Sequence, residues 1–196
     1  MKIAVIGTGN IGGSLGTKWR AAGYDVVYGS RSGSAAEPGT GPGGAPVLAI
    51  GEALAGADVV VLAVPGPAVP DVISAHGAAL AGKIVVDAVN RMGQPELNSR
   101  ALIAGAVPDA RYVRAFNSLG WENFADPLAG ANLFFAADPE ARSVAEELIA
   151  AVGLDPAFLG DPDVAGMVDA LTPVWMALVR QHGGNRRIAL RVVTEG

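Results

Sequence analysis

The sequence predicts an α/β fold in which a mostly parallel sheet carries helices on both faces. Two observations support this prediction. A short apolar run near the N-terminus leads directly into a glycine-rich turn, and further valine-rich runs of strand length alternate with helical patterns. Strands buried on both faces read as continuous apolar runs of this kind. The alternation is typical of a doubly wound Rossmann fold, here with a small helical C-terminal portion.

Each predicted strand is an apolar run bounded by turn residues, and each predicted helix carries apolar residues at helical spacing. The predicted strands cover residues 2–6, 25–28, 47–49, 57–65, 83–87, 111–116, 132–136 and 156–159. After the helix that the glycine-rich turn opens, the predicted helices cover residues 51–55, 68–74, 76–80, 96–105, 141–152 and 164–182. Residues 188–193 close the chain within this helical portion.

The glycine-rich turn follows the first strand at once and reads Gly7-Thr8-Gly9-Asn10-Ile11-Gly12. In a strand-turn-helix setting this spacing is typical of dinucleotide binding. The first glycine permits the tight turn, the second lets the backbone approach a pyrophosphate, and the third lets the helix pack closely on the strand. The phosphates then face the N-terminus of the helix.

The second strand is followed by Ser30, Arg31 and Ser32, about 20 residues after the turn, where an acidic residue would favour NAD. A guanidinium and two hydroxyl groups suit a 2′-phosphate instead. The cofactor is therefore predicted to be NADP. The alternative is that Arg31 is a solvated loop residue.

Other strand ends are expected at the same edge of the sheet, since ligands of open α/β sheets lie beyond the carboxyl ends of the strands. Ala63, Val64 and Pro65 end the central strand, and Asn90 follows the next one. Residues 30–46, rich in Gly, Pro and Ser, are predicted to be a mobile loop over the adenosine end.

The length of 196 residues suits one good core with a small appendage. We expect an NADP-binding Rossmann domain over residues 1–160, and over residues 161–196 a small helical extension that acts as a lid or a dimer element. A net charge of -5 argues against nucleic acid or an anionic membrane as partner. The absence of cysteine and the separation of the two histidines argue against a metal site. No leader or membrane span is recognised, so a cytoplasmic protein is expected.

Residues for proton transfer are scarce, and no catalytic residue is predicted. No Lys or Tyr is placed to serve as the general acid that carbonyl reduction usually requires. Hydride transfer between two redox cofactors depends on closeness, alignment and exclusion of water more than on such a group. The same scarcity would be found in an NADP-binding sensor that does not turn over.

Five segments in order, residues 7–12, 29–31, 62–65, 115–118 and 169–173, resemble the NADP-dependent oxidoreductases of the deazaflavin coenzyme F-420 (F420). The similarity runs along almost the full length. It implies a homodimeric Rossmann enzyme with a small C-terminal portion, which transfers a hydride reversibly between NADP and F420.

The resemblance also assigns roles by position. Thr8, Asn10 and Ile11 would hold the phosphates, while Ser30 and Arg31 would hold the 2′-phosphate. Val64, Asn90 and Leu119 would border the nicotinamide. Asn117 stands where archaeal members carry a histidine and is expected to donate a hydrogen bond to the deazaflavin.

Two rival functions remain open: an NADPH-dependent reductase of a flavin or a small organic carbonyl or imine, and a non-catalytic redox sensor. A β-hydroxyacid dehydrogenase is disfavoured because its catalytic lysine and its long helical second domain have no counterpart. Arginines in the tail, Arg180, Arg186, Arg187 and Arg191, could receive the acidic side chain of a deazaflavin. They could equally cover helix ends or pair with a dimer partner.

Overall fold

The computed structural model describes residues 1–33 and 39–195. Within them, nine strands form one sheet and seven α-helices surround it. The strands are β1 (Lys2–Ile6), β2 (Asp25–Ser30), β3 (Gly39–Thr40), β4 (Pro46–Ala49), β5 (Val59–Leu62), β6 (Ile84–Asp87), β7 (Arg111–Arg114), β8 (Asn132–Ala137) and β9 (Asp155–Gly160). The helices are α1 (Asn10–Ala21), α2 (Ile50–Leu54), α3 (Val69–His76), α4 (Arg100–Ala106), α5 (Glu122–Ala125), α6 (Arg142–Val152) and α7 (Ala165–Gln181).

The strand order is β3-β4-β2-β1-β5-β6-β7-β8-β9. All neighbouring strands are parallel except the β3–β4 and β7–β8 pairs. The carboxyl ends of the six strands from β4 to β7 in this order therefore share one edge, called here the cofactor edge. The predicted doubly wound, mostly parallel α/β fold is confirmed.

The sheet separates two hydrophobic clusters because successive side chains of a strand point to opposite faces. Ile3 and Val5 of β1 belong to the cluster under α1 and α6. Ala4 and Ile6 belong to the cluster under α2, α3 and α4. The central strand β5 and, after Lys2, strand β1 are buried on both faces, which explains their apolar sequences.

Helix α7 crosses the cofactor edge from one face of the sheet to the other. Ala165, at its start, packs in the cluster under α2 to α4, whereas Trp175 packs in the cluster under α1 and α6. Between them, α7 passes the carboxyl end of β7. Strand β8 also rises beyond that end, because Ala136 pairs with Arg114, the last residue of β7, and residues 132–135 extend further. Strand β8 and helix α7 thus form a wall at the cofactor edge.

The segment 30–46 differs from the predicted mobile loop. Residues 34–38 lie outside the described residues, but Gly39 and Thr40 pair with β4, and Ala45 is fully buried. The turn at residues 42–44 packs against α1, since a Cβ on Gly13 would come within 3.1 Å of the Pro42 ring. The described part of this segment is therefore folded against the domain.

Two other elements differ from their predicted bounds. Helix α4 begins at Arg100 instead of residue 96, because the backbone amides of Asn98 and Ser99 are bonded to buried carboxylates. After α7 the chain leaves the helical conformation and forms an isolated antiparallel bridge between Asn132 and Leu190. No helix in the described part of the chain is long and apolar enough to cross a membrane. The predicted division at residue 160 stays a prediction.

Candidate functional site

The glycine-rich turn is held by close backbone contacts. Gly7 has a φ of 117°, and its N–H donates to the carbonyl of Gly29 at 3.1 Å, which ties the turn to the end of β2. A Cβ at Gly7 would collide with the carbonyl oxygen of Ala63. A Cβ at Gly12 would collide with the carbonyl oxygen of Gly7. Both positions therefore require glycine.

The start of α1 fits a phosphate group. Gly9 caps the helix without a side-chain hydrogen bond, and the first turn contains no acidic residue. A Cβ built on Gly9 would meet no atom within 4 Å, so the space above this glycine is open and any side chain would fill it. The N–H groups of a helix N-terminus and its dipole favour an anion at such a place. The pyrophosphate of a dinucleotide fits this site.

A cleft of about 250 Å³ runs along the cofactor edge beside the turn. Eight of the predicted site residues line it: Gly7, Thr8, Gly9, Ser30, Arg31, Ala63, Val64 and Pro65. Gly12 is buried and Ile11 packs against the core, so these two support the turn from beneath. Asn10 faces a second groove on the other side of the turn. The structure thus brings the carboxyl ends of β1, β2 and β5 together.

The end of β2 presents the groups predicted to bind the 2′-phosphate. Ser30 and Ser32 lie with their hydroxyl oxygens 3.2 Å apart, and the N–H of Ser32 donates to the Ser30 hydroxyl at 3.3 Å. This local bonding closes the turn on which the exposed Arg31 stands. The backbone places Arg31 at the cleft, and its contact with a 2′-phosphate stays a prediction.

Asn90, Asn117 and Leu119 lie apart from this cleft, beyond the ends of β6 and β7. The side-chain N–H₂ of Asn90 donates to the Asn117 carbonyl at 2.7 Å. The side-chain N–H₂ of Asn117 faces Asp169 Oδ1 at 3.3 Å and Thr172 Oγ1 at 3.4 Å. Asn117 and Leu119 are both buried. These side chains serve internal contacts, and the Asn117 N–H₂ expected to reach a deazaflavin is used within the fold.

Phe116 fixes the backbone at this point. Its φ of 62° is the only positive value at a non-glycine residue among the described residues. The ring is buried and makes edge-to-face contacts with Trp19 and Phe124, with centroids 5.6 and 5.7 Å away. Backbone strain of this kind persists only where packing over-determines it. The aromatic contacts therefore set the direction in which the chain leaves β7.

A buried ion network lies under the cofactor edge, centred on Arg114. Its Nε and Nη2 groups contact Asp169 Oδ1 at 2.7 and 2.5 Å. Its Nη1 donates to the carbonyls of Asp87 and Val89 at 2.9 and 2.6 Å, and Nη2 donates to Asn90 Oδ1 at 3.0 Å. All five N–H groups of this fully buried guanidinium thus have acceptors.

The Asp87 carboxylate is the second buried charge of the network. It accepts hydrogen bonds from the Ser99 N–H at 2.5 Å and from the Tyr112 hydroxyl at 2.9 Å. Burial raises the pKa of Asp87 above its ordinary value, and the Arg114 guanidinium opposes that rise. Burial, and then the Asp87 charge, raise the pKa of Tyr112 well above its usual value. Tyr112 is therefore a structural donor and not an acid for catalysis.

The sequence analysis did not identify this network. Its only local signal is that a charged residue, Asp87 or Arg114, ends each of the neighbouring strands β6 and β7, since charged residues are rarely fully buried unless they are paired. Helix α7 supplies Asp169, whose Oδ2 accepts the Asn98 side-chain N–H₂ at 2.8 Å. The network therefore fastens α7 to the ends of β6 and β7.

Two of the tail arginines are paired within the chain. Arg186 contacts Glu122 Oε1 at 2.6 Å and lies over the Trp175 ring, and Arg187 contacts Asp126 at 2.8 Å. These pairs fasten the tail to α5. No cluster of three or more potential metal ligands occurs within residues 1–33 and 39–195.

The chain is similar in sequence and in fold to several known proteins. Residues 2–91, which contain the glycine-rich turn, the end of β2 and the end of β5, match the family described as NADP oxidoreductase, coenzyme F420-dependent. A candidate F420-dependent NADP-reductase from Arthrobacter sp. FB24 has a similar structure, with a TM-score of 0.83 and 27% identity. That match covers 99% of this chain and 100% of the other.

Two further relatives are similar over most of the chain. A hypothetical protein, SMa0349, from Sinorhizobium meliloti gives a TM-score of 0.72 at 27% identity, covering 98% of this chain and 96% of the other. Metalloreductase STEAP3 of Rattus norvegicus is 30% identical over 185 residues, or 89% of this chain. The match spans only 38% of that curated relative. The predicted resemblance to the NADP oxidoreductases described as coenzyme F420-dependent is confirmed over residues 2–91, a little under half of the chain.

Proposed function

We propose that the protein transfers a hydride between NADP(H) and the deazaflavin F420. The observation that carries this proposal is a dinucleotide cleft without a proton donor suited to carbonyl chemistry. None of the described residues that line the cleft is Lys, His or Tyr. The hydroxyl of Tyr112, which is buried, donates a hydrogen bond to the Asp87 carboxylate. A reaction between two redox cofactors does not require such a group.

In this proposal NADPH supplies the hydride, and the protein binds the two cofactors and orients their rings. The amides at the start of α1 and at Gly9 hold the pyrophosphate, and Arg31 with Ser30 holds the 2′-phosphate. The apolar end of β5, at Val64 and Pro65, excludes water from the middle of the cleft. Asn90, Asn117 and Leu119 shape the nicotinamide end through the internal contacts described above.

Mixing the protein with NADPH and oxidised F420 in the absence of oxygen is expected to bleach the visible absorption of the deazaflavin. NADP and reduced F420 should restore it. The control omits the protein, and a second control replaces NADPH by NADH. Failure of the reaction in both directions over a broad pH range, with the protein folded, would contradict the proposal.

The likeness to a metalloreductase over 185 residues favours a second candidate, an NADPH reductase that acts on another acceptor. A flavin, or a small organic carbonyl or imine, is the acceptor to test. NADPH oxidation with one of these, and none with F420, would support this candidate. NADPH binding without oxidation by any acceptor would support a redox sensor. A cytoplasmic location remains a prediction.

We further propose that the protein is a homodimer joined through α7. The exposed face of this helix is apolar: Gly166, Met167, Ala170, Pro173, Val174 and Met176. Its charged residues are the buried Asp169 and, in the last turn, Arg180. A helix that is apolar on both faces is normally buried. An antiparallel pair of α7 helices would place Met167 of one copy opposite Val174 of the other.

Replacement of Val174 by lysine is expected to convert the dimer into a monomer, because the interface would bury two unpaired ammonium groups. Light scattering after gel filtration should show about twice the chain mass of 19.7 kDa for the unaltered protein and one chain mass for the variant. Val192→Lys is the control, since Val192 is similarly exposed, at 52% against 47%, but lies outside α7. A monomeric unaltered protein would contradict the proposal.

A further inference from the structure

A second groove, of about 360 Å³, lies on the opposite side of the glycine-rich turn, between α1 and α5. One wall is a polar stripe of α1, formed by Asn10, Ser14 and Lys18. These residues recur every four positions, so they share one helix face over about 12 Å. The other wall is Trp121, at the start of α5. Thr8 and Asn10, which the resemblance assigns to the phosphates, lie at one end of this groove, whereas Ser14, Lys18 and Trp121 have no role assigned by the resemblance.

Trp121 differs from the other two tryptophans. Trp19 and Trp175 are buried, and their indole N–H groups donate to the carbonyls of Leu148 and Ile188 at 2.9 and 2.8 Å. Trp121 is 37% exposed, and its indole N–H has no partner among the described residues. Hydrogen bonding within the described chain therefore does not account for Trp121, and more than a third of its surface is left open towards the groove.

Lys18 differs from the other two lysines in the same way. The ammonium groups of Lys2 and Lys83 donate to the carbonyls of Ala55 and Ala57 at 3.4 and 2.6 Å. The Lys18 ammonium has no such partner in the described part of the chain. It is the only charged residue among those described as lining the groove. In a chain of net charge -5, this groove offers a site of positive charge.

The groove is continuous with the dinucleotide cleft, because Thr8 and Gly9 line both. A molecule in the groove would therefore lie against the glycine-rich turn from the side of α1, with Pro42 also in contact. The volume is within the range of small-molecule sites, roughly 300–1,000 Å³. An indole face, a row of hydroxyl and amide groups and one ammonium suit a planar heteroaromatic ring that carries an anionic side chain.

We propose that the groove between α1 and α5 binds the second substrate, a planar tricyclic acceptor with an anionic side chain, with the ring on Trp121 and the anionic group at Lys18. The inference deepens the proposed function and rests on it for the identity of the reaction. F420 and flavin mononucleotide share this chemistry. Riboflavin, which has a similar ring but no anionic group, separates the two contacts.

The test measures binding and turnover in the full-length protein. Binding of F420, flavin mononucleotide or riboflavin is followed by quenching of tryptophan fluorescence. Lys18→Gln should weaken F420 or flavin mononucleotide binding about three- to tenfold and leave riboflavin unchanged, since only a charge contact is lost. Trp121→Leu should weaken all rings that bind about two- to tenfold, and Trp121→Phe should retain most of the affinity.

Matched controls keep the result specific. Arg20→Gln removes an exposed charge from the same helix outside the groove, and Leu128→Ala removes an apolar side chain that is also 37% exposed. Both should leave acceptor binding unchanged. The KM for NADPH should be unchanged in all variants, while the KM for the acceptor rises in Lys18→Gln and Trp121→Leu.

Hydride transfer with unaltered acceptor KM in both groove variants would overturn the inference and leave the proposed function intact. A rise in the KM for NADPH alone would assign the groove to the dinucleotide and also overturn it. Loss of the dimer in these variants would assign the groove to a second copy. The acceptor could also quench the tryptophan fluorescence in a way that depends on Trp121 and Lys18, while no hydride is transferred. That result would support the binding of an acceptor in the groove and contradict the proposed function.

Discussion

Replacement of Arg114 by leucine is expected to lower the free energy of unfolding by about 3–5 kcal/mol, the usual cost of removing one partner from a buried ion pair. The guanidinium is fully buried, and its five N–H groups are taken by a carboxylate oxygen of Asp169, two carbonyls and one amide oxygen. The Asp87 carboxylate lies 3.4 Å from Nη1. Without it, the buried carboxylates of Asp87 and Asp169 have no cation beside them. Urea denaturation followed by circular dichroism measures the loss.

Arg142→Leu provides the comparison. Arg142 also pairs with a carboxylate, Glu146, at 2.8 Å, but the two side chains are 50% and 37% exposed. An exposed pair of this kind contributes about 0–1 kcal/mol. A similar loss in both variants would show that the Arg114 network stabilises the fold no more than a surface pair does.

The deficit of Arg114→Leu should also depend on pH. Burial already raises the pKa of Asp87, and removal of the opposing guanidinium raises it further. The folded variant then binds a proton that the unfolded chain releases, so its stability falls as the pH rises from about 4 to 7. The deficit should be smaller near the acid end of this range. A deficit that grows towards acid would mean that Asp87 is not the group responsible.

Replacement of Arg31 by alanine is expected to reduce the preference for NADPH over NADH about ten- to a hundredfold. The charge-assisted contact with a 2′-phosphate contributes on the order of 1.5–3 kcal/mol, which NADH cannot gain. The ratio of kcat/KM for the two cofactors measures the change. The value of kcat/KM for NADPH should fall, while the value of kcat/KM for NADH should stay nearly constant.

Arg20→Ala is the control for general electrostatics, because Arg20 is exposed on α1 and does not line the cleft. It should leave the preference unchanged. Equal use of NADPH and NADH by the unaltered protein would contradict the assignment of Arg31 to the 2′-phosphate.

The part of the site that was predictable is the part encoded locally. The first strand, the glycine-rich turn and the residues after β2 follow each other closely in sequence, and their spacing implies both the fold and the cleft. Gly12 illustrates this, since the Cβ that it lacks would collide with the carbonyl oxygen of Gly7 in the same turn.

The parts of the fold and of the site that could not be predicted depend on contacts between residues far apart in the sequence. Arg114 and Asp169 are 55 positions apart, and no periodicity in the sequence relates them. The resemblance places Asn117 at the deazaflavin, but its amide N–H₂ faces Asp169 and Thr172 of α7, which no local pattern in the sequence indicates. Ala45 was assigned to a loop because its neighbours are Gly and Pro, yet its burial comes from packing within the folded domain.

The passage of α7 from one face of the sheet to the other joins two otherwise separate hydrophobic clusters through a single helix. Lifting α7 would break the Asp169 contacts to Arg114 and Asn98 and expose apolar surface of both clusters at once. Such an opening should therefore cost more than lifting a helix that packs on one cluster alone. Ligand-binding segments usually belong to the least stable parts of a protein. The wall that α7 forms at the cofactor edge is therefore expected to stay in place when a molecule binds.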